Sequence, residues 1–222
     1  MSKLYVNPLP VRIWHWTNAL LFIVLIATGV QIRYLDLFGF MSFRNAVVVH
    51  NWMTFALIAN FFIWLLFYLF SDRNRAYHPE FNIFKLAESS FRQMMYYGYG
   101  MFKGERSPHH MDPYDKFNPL QRMLYQILML FLLPLQFATG ILMWDVKRFS
   151  SVIDMVGGLR VVDTVHVLIF IFFVFYMCFH PYLATLGHTP MAHIKAMITG
   201  YEDVEEAHGE SAAPASAVPK AA

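Results

Sequence analysis

The chain has 222 residues and a net charge of +2; 57% of its residues are hydrophobic, 18% aromatic and only 14% charged. Soluble domains carry roughly 25% charged residues, so this makeup excludes an ordinary soluble protein and, with no basic patch, a nucleic-acid binder. The lone cysteine, Cys178, excludes a disulfide framework and a Cys-x-x-Cys-His haem attachment.

Integral membrane protein is the class that remains, and four apolar runs are long enough to cross a bilayer: residues 13–32, 46–70, 123–144 and 161–186. None has a charge in its interior. The first is not a signal peptide, because its apolar stretch is too long, no small-residue cleavage site follows and the amino-terminal region is barely basic. Cys178 lies within the fourth run and reads as a small buried hydrophobe. The expected fold is an all-α four-helix membrane bundle over residues 1–200, followed by a disordered tail over 201–222.

The connection over 71–121 is too long to be a plain loop. Within it, residues 82–95 (NIFKLAESSFRQMM) alternate at helical spacing, with Lys85, Glu88 and Arg92 on the polar side, as expected of a helix lying at the membrane surface. Residues 96–100 and 107–119 read as irregular from their Gly and Pro content. After the last span, Thr189-Pro190 reads as a helix start, with a short interfacial helix over 192–199 stopped by Gly200.

The Lys and Arg distribution sets the orientation. With both termini in the cytoplasm, the inner segments hold Lys3, Arg12, Arg122, Lys195, Lys220 and the seven cations of the long loop. The outer loops hold only Arg33, Arg44, Lys147, Arg148 and Arg160. The bias favours both ends inside.

Four histidines lie within the spans. Topology puts His15 and His180 near the inner surface, and His50 and His166 near the outer one. His166 and His180 are 14 residues apart, so they share one helix face at a separation of about 21 Å. Depth therefore pairs His15 with His180 and His50 with His166. Unpaired polar groups in lipid are expensive, and cross-helix hydrogen bonding is the bland account of each one alone. Four that sort into two pairs point to two haem b groups with bis-imidazole ligation. Both axial positions would then be filled, which suits electron transfer and leaves no site for oxygen. A tetrahedral zinc shell lacks its other ligands at either level. Gly29 and Gly140 are suited to a macrocycle pressed against backbone. Arg12 and Arg160 could meet propionates at the inner and outer surfaces, or simply anchor the interface. Solvated loop positions account for His78, His109, His110, His188, His193 and His208.

The halves also echo each other. Arg12 and Arg122 open the first and third spans, and Thr28-Gly29 and Thr139-Gly140 close apolar runs. His50 and His166 then open the next spans, a pattern suggestive of an internal repeat. Tyr125 stands where His15 would recur, and no histidine in the second span answers His180.

The motifs LPVRIWHW at 9–16, ATG at 27–29, VVVHNW at 47–52, FNPLQRMLY at 117–125 and the His166/His180 spacing resemble one family. It is the di-haem cytochrome b subunits that anchor nickel-iron hydrogenases, formate dehydrogenases and thiosulfate reductases to bacterial inner membranes. The resemblance implies a periplasmic oxidoreductase partner with an iron–sulfur or multihaem cytochrome subunit, and a menaquinone or ubiquinone site by the inner haem. The Asn-x-x-Gln-Lys run of the formate dehydrogenase type corresponds to Asn118-Pro119-Leu120-Gln121-Arg122. That carries a quinone role to Asn118 and, behind it, Gln121; Asn118 also reads as a helix N-cap ahead of Pro119. A haem-free membrane anchor or assembly subunit is the alternative.

Overall fold

The computed structural model describes residues 2–34, 39–71, 80–105, 108, 117–185, 189 and 191–204. Among the described residues, four helices are long and apolar enough to cross a membrane. They are α1 (Leu9–Arg33), α2 (Phe43–Phe70), the composite Pro119–Trp144 and α7 (Leu159–Ala184). The composite consists of α4 (Pro119–Ile127), a π turn (Leu128–Leu132) and α5 (Leu133–Trp144). The bundle is all-α, and each span begins a few residues before the expected apolar run; polar caps extend the second and third. Ser42 Oγ accepts from Asn45 N at 3.3 Å ahead of α2. Asn118 caps α4 reciprocally with Gln121, and Pro119 occupies the first turn, where its missing N–H is not needed.

Helices α1 and α2 form one hairpin and α5 and α7 the other, with α2 closing against α5. The core is built from Leu21, Leu57, Trp64, Leu128, Met129, Leu133, Phe137, Ile169 and Phe173. Large apolar side chains such as Leu20, Ile63 and Leu168 point outward, as a helix surface that meets lipid requires. Cys178 is on that outward surface too, which corrects the expectation of burial: the apolar run it belongs to faces lipid as well as protein. In the first hairpin the buried Asn60 accepts from Trp14 Nε1 at 3.0 Å and donates to Asn18 Oδ1 at 3.3 Å. Such bonds tie membrane helices together by about 0.6–2 kcal/mol each.

Between α2 and α4 lies α3 (Ile83–Met95), capped by the Asn82 side chain on Lys85 N at 3.0 Å. It exposes Phe84, Phe91, Met94 and Met95 and buries Ser90 and Gln93; Ser90 Oγ donates to the Pro119 carbonyl at 3.2 Å. Residues 96–100, expected to be irregular, continue instead as a π turn (Tyr96–Gly100) and a 3-10 turn (Met101–Lys103). Glycine weakens a helix by only about 1 kcal/mol per residue, and here the turn is tied to the start of α4 by the bond from Asn118 Nδ2 to the Tyr97 hydroxyl.

Beyond α6 (Ser150–Met155) and α7, helix α8 (Ala192–Thr199) is flanked at its start by Met191, while Thr189 contributes its carbonyl to Ala192 N. Gly200 ends it at φ +92°, a conformation that favours glycine. The residues that follow are a further departure from expectation. Strand β2 (Tyr201–Val204) pairs antiparallel with β1 (Ser2–Tyr5), so the first four residues of the expected tail are ordered. Composition alone does not reveal this pairing. Val6 N and Asn7 N donate to the Gly200 carbonyl at 3.0 and 3.1 Å. Arg12 donates to the Ile198 carbonyl, and Trp16 Nε1 to that of Met197 at 3.1 Å. Residues 197–204 are thus clasped to β1 and to the first turns of α1. The bundle has a terminal level beside this clasp and a distal level at its far end.

Candidate functional site

At the terminal level α1 presents His15 and α7 presents His180, with ring centroids 6.1 Å apart and planes at 49°. A metal ion bonded at about 2 Å to one nitrogen of each ring sets the centroids on the order of 6 Å apart. The spacing therefore matches a shared metal. Trp16 stands edge-on to His15 at 5.2 Å, and Tyr176, one turn before His180, stacks on it at 5.4 Å. The Tyr176 hydroxyl is 3.5 Å from His180 Nδ1, at the outer limit of a hydrogen bond.

The distal level is built differently. Thr28 Oγ1 lies 2.8 Å from the Val24 carbonyl and 2.9 Å from His50 Nδ1. The carbonyl can only accept, so the hydroxyl proton goes to it and the hydroxyl oxygen accepts from Nδ1–H. Thr139 repeats the arrangement, 2.9 Å from the Leu135 carbonyl and 2.9 Å from His166 Nδ1. Each imidazole is thereby held as the Nδ1–H tautomer, which leaves Nε2 as the acceptor nitrogen. Consistent with this, His166 Nε2 accepts from the Gln136 amide at 3.1 Å. A Cβ added at Gly29 would be 3.6 Å from His50 Cε1 and 3.6 Å from Phe170; one at Gly140 would be 3.4 Å from His166 Cε1. The two glycines thus let their helices approach the rings closely.

These paired arrangements show that the sequence echo is a structural one. Thr28, Gly29 and His50 in the first half correspond to Thr139, Gly140 and His166 in the second. The correspondence runs to the terminal level, where Tyr125 stands for His15 and Trp64, fourteen residues after His50, stands for His180. The Trp64 and Tyr125 rings are 6.0 Å apart, nearly the spacing of the histidines. Between Tyr125 and Thr139 there is one residue more than between His15 and Thr28. The π turn at Leu128–Leu132 winds in such an extra residue, just ahead of Pro134, which cannot donate to the preceding turn.

A family model for prokaryotic cytochrome b561 matches residues 6–200. The chain belongs to this family. A relative from Escherichia coli (strain K12), "Putative cytochrome YdhU", is 35% identical over 203 residues, which is 90% of this chain and 75% of the relative. No solved structure matches. The motifs around His15, His50 and Asn118 resemble the family found. The protein is a multi-pass membrane cytochrome of the b type, and haem b electron transfer goes with that membership.

The residues of this cytochrome fit such a group. Two imidazole rings lie 6.1 Å apart by centroid, two more present Nε2 as the acceptor nitrogen, that of His166 taken by the Gln136 amide, and glycines leave room beside the rings. Among the described residues no three His, Cys, Asp or Glu side chains gather as metal ligands, so the donor set offers pairs of imidazoles.

The other expected site residues are placed as follows. Arg12 is drawn to the Ile198 carbonyl of α8. Arg160 is exposed in the first turn of α7, where Arg33 and Asp163 form the ion pair that joins α1 to α7, at 3.6 Å. Asn118 is buried; its Oδ1 accepts from Gln121 N at 2.9 Å and its Nδ2 donates to Tyr97 Oη at 3.1 Å. Gln121 returns its Oε1 to Asn118 N at 3.1 Å. Burial pushes the Tyr97 hydroxyl pKa up, which keeps it a proton donor. Sequence reasoning missed Tyr97, Thr28 and Thr139 as site residues; only the Thr-Gly echo hinted at the last two. His193 pairs with the buried Glu202 at 3.0 Å in the clasp. His78, His109, His110, His188 and His208, like Leu186, lie outside the described residues.

Proposed function

We propose that this cytochrome is the membrane subunit of a respiratory oxidoreductase in the bacterial inner membrane. It binds two haem b groups, one between His15 and His180 and one between His50 and His166. The observation that carries the reading is the 6.1 Å spacing of the His15 and His180 rings, with the second pair about 21 Å away along α7. When bound, haem iron supplies reversible one-electron exchange with no open axial position. The chain's own work is to hold the imidazoles, keep their tautomers and exclude water.

The cation bias in the sequence puts the termini in the cytoplasm, so the distal level faces the periplasm. There a partner with an iron–sulfur or multihaem subunit exchanges electrons with the His50/His166 site. At the terminal level a menaquinone or ubiquinone exchanges them beside Asn118. Tyr97 accepts from the Asn118 amide and so has its own proton to offer a quinone carbonyl; Gln121 holds Asn118 in place.

Purified protein should show reduced b-type absorption bands and bind two haems per chain; a preparation without such bands ends the haem reading. His15→Ala and His180→Ala should each remove the same haem and spare the other. Loss of different haems would refute the pairing.

A further inference from the structure

We propose that Thr28 and Thr139 are positioning residues that fix the distal ligands and lower the redox potential of the distal haem relative to what imidazoles alone would give. The inference rests on the haem reading above and goes beyond it. Each threonine hydroxyl is the middle of a three-part chain: imidazole Nδ1–H to hydroxyl oxygen, hydroxyl proton to a backbone carbonyl one turn back. In a chain of this kind each bond polarises the next, so the Nδ1–H bond is stronger than one to an isolated hydroxyl. A partner on Nδ1–H makes the opposite nitrogen a better donor, the same effect a carboxylate has on a zinc-bound histidine.

The consequence is electrostatic. Greater basicity at Nε2 stabilises the more positive, oxidised iron and makes its reduction harder, one of the levers by which a protein sets a haem potential. At the terminal level, among the described residues, the hydroxyl beside His180 is that of Tyr176, at 3.5 Å from Nδ1. Thr28 and Thr139 come from helices α1 and α5, which supply no histidine to the distal pair. The tautomer of each ligand is thus set by the helix facing it. Both hydroxyls are back-bonded within their own helices, so they cannot rotate away without giving up a carbonyl bond in lipid.

The test is a spectroscopic redox titration of the full-length protein, with the distal haem identified as the one missing from His50→Ala. Thr28→Val and Thr139→Val keep the side-chain shape and remove the hydroxyl. Each should raise the midpoint potential of the distal haem and weaken its retention about 10–100-fold, the range for loss of an outer-shell partner. The terminal haem should keep its wild-type potential. Thr28→Ser and Thr139→Ser restore the hydroxyl and should return both properties to wild type, which separates the hydrogen bond from packing. Unchanged distal potential and retention in both valine variants overturn the proposal, as does a serine variant that behaves like its valine counterpart. A wild-type protein with no haem defeats the underlying haem reading instead, and is recognised before any variant is made.

Discussion

The distal and terminal levels occupy one repeated frame and use it in opposite ways. At the distal level both halves contribute alike, each with a Thr-Gly pair and a histidine, and the resulting site straddles the join between the halves. At the terminal level the halves diverge. One set of positions holds His15 and His180, while the corresponding set is filled by Tyr125 and Trp64 at nearly the same spacing. A symmetric frame therefore carries one proposed site to which both halves give a histidine and a threonine, and one proposed site whose counterpart positions are aromatic. On the aromatic side Phe117 stacks on Tyr125 at 5.3 Å next to Asn118, so the aromatic pair, to which each half gives one ring, lies on the side that carries the proposed quinone residues. The levels are also secured differently. Threonine hydroxyls hold the distal imidazoles, whereas the clasp of β1 and residues 197–204 braces the turn of α1 that bears His15.

The contrast between matched positions yields the largest effect. His180→Ala should remove a haem outright, while Trp64→Ala at the corresponding place should leave haem content intact. The second change should instead cost about 3–5 kcal/mol of stability, as large aromatic truncations in a packed core do, read from unfolding in detergent. Loss of haem from Trp64→Ala would break the comparison.

A smaller effect is expected at the clasp. An alanine at position 200 would keep a φ of +92° and bring its Cβ within 2.8 Å of Tyr5 and 2.9 Å of the Asn7 carbonyl. Strain of this kind costs about 1–3 kcal/mol. Gly200→Ala should lower the melting temperature and perturb the terminal haem spectrum while leaving the distal bands in place. Equal disturbance of both would mean the clasp braces the whole bundle.

The smallest effect comes from pH. The hydrogen bond from His193 to Glu202 raises the histidine pKa above 6.5. The stability this pair adds is therefore fully present below pH 6.5 and is lost as pH rises through the raised folded value. With His193 partly exposed, the contribution is at most about 1 kcal/mol. Melting measured on either side of neutrality should show the loss in the wild type, and His193→Gln should flatten it.

Much was legible before any tertiary structure. Apolar length marks a span, so four spans follow from composition along the chain. The constant rise of a helix converts sequence position into depth, so His15 falls level with His180 and His50 with His166. Capping chemistry is equally local, and Asn118 ahead of Pro119 declares its helix in the residues themselves. What remained hidden depends on how helices are rotated about their own axes and on which chain ends meet. Nothing local aims Thr28 at His50 from a different helix, sets Trp64 against Tyr125, or pairs residues 201–204 with the amino-terminal strand. Depth is a one-dimensional property that the order of residues determines. Azimuth and partnership are settled only when the side chains of separate helices pack, and that packing decided which hydroxyl holds each distal imidazole and which corresponding positions were left to aromatic rings.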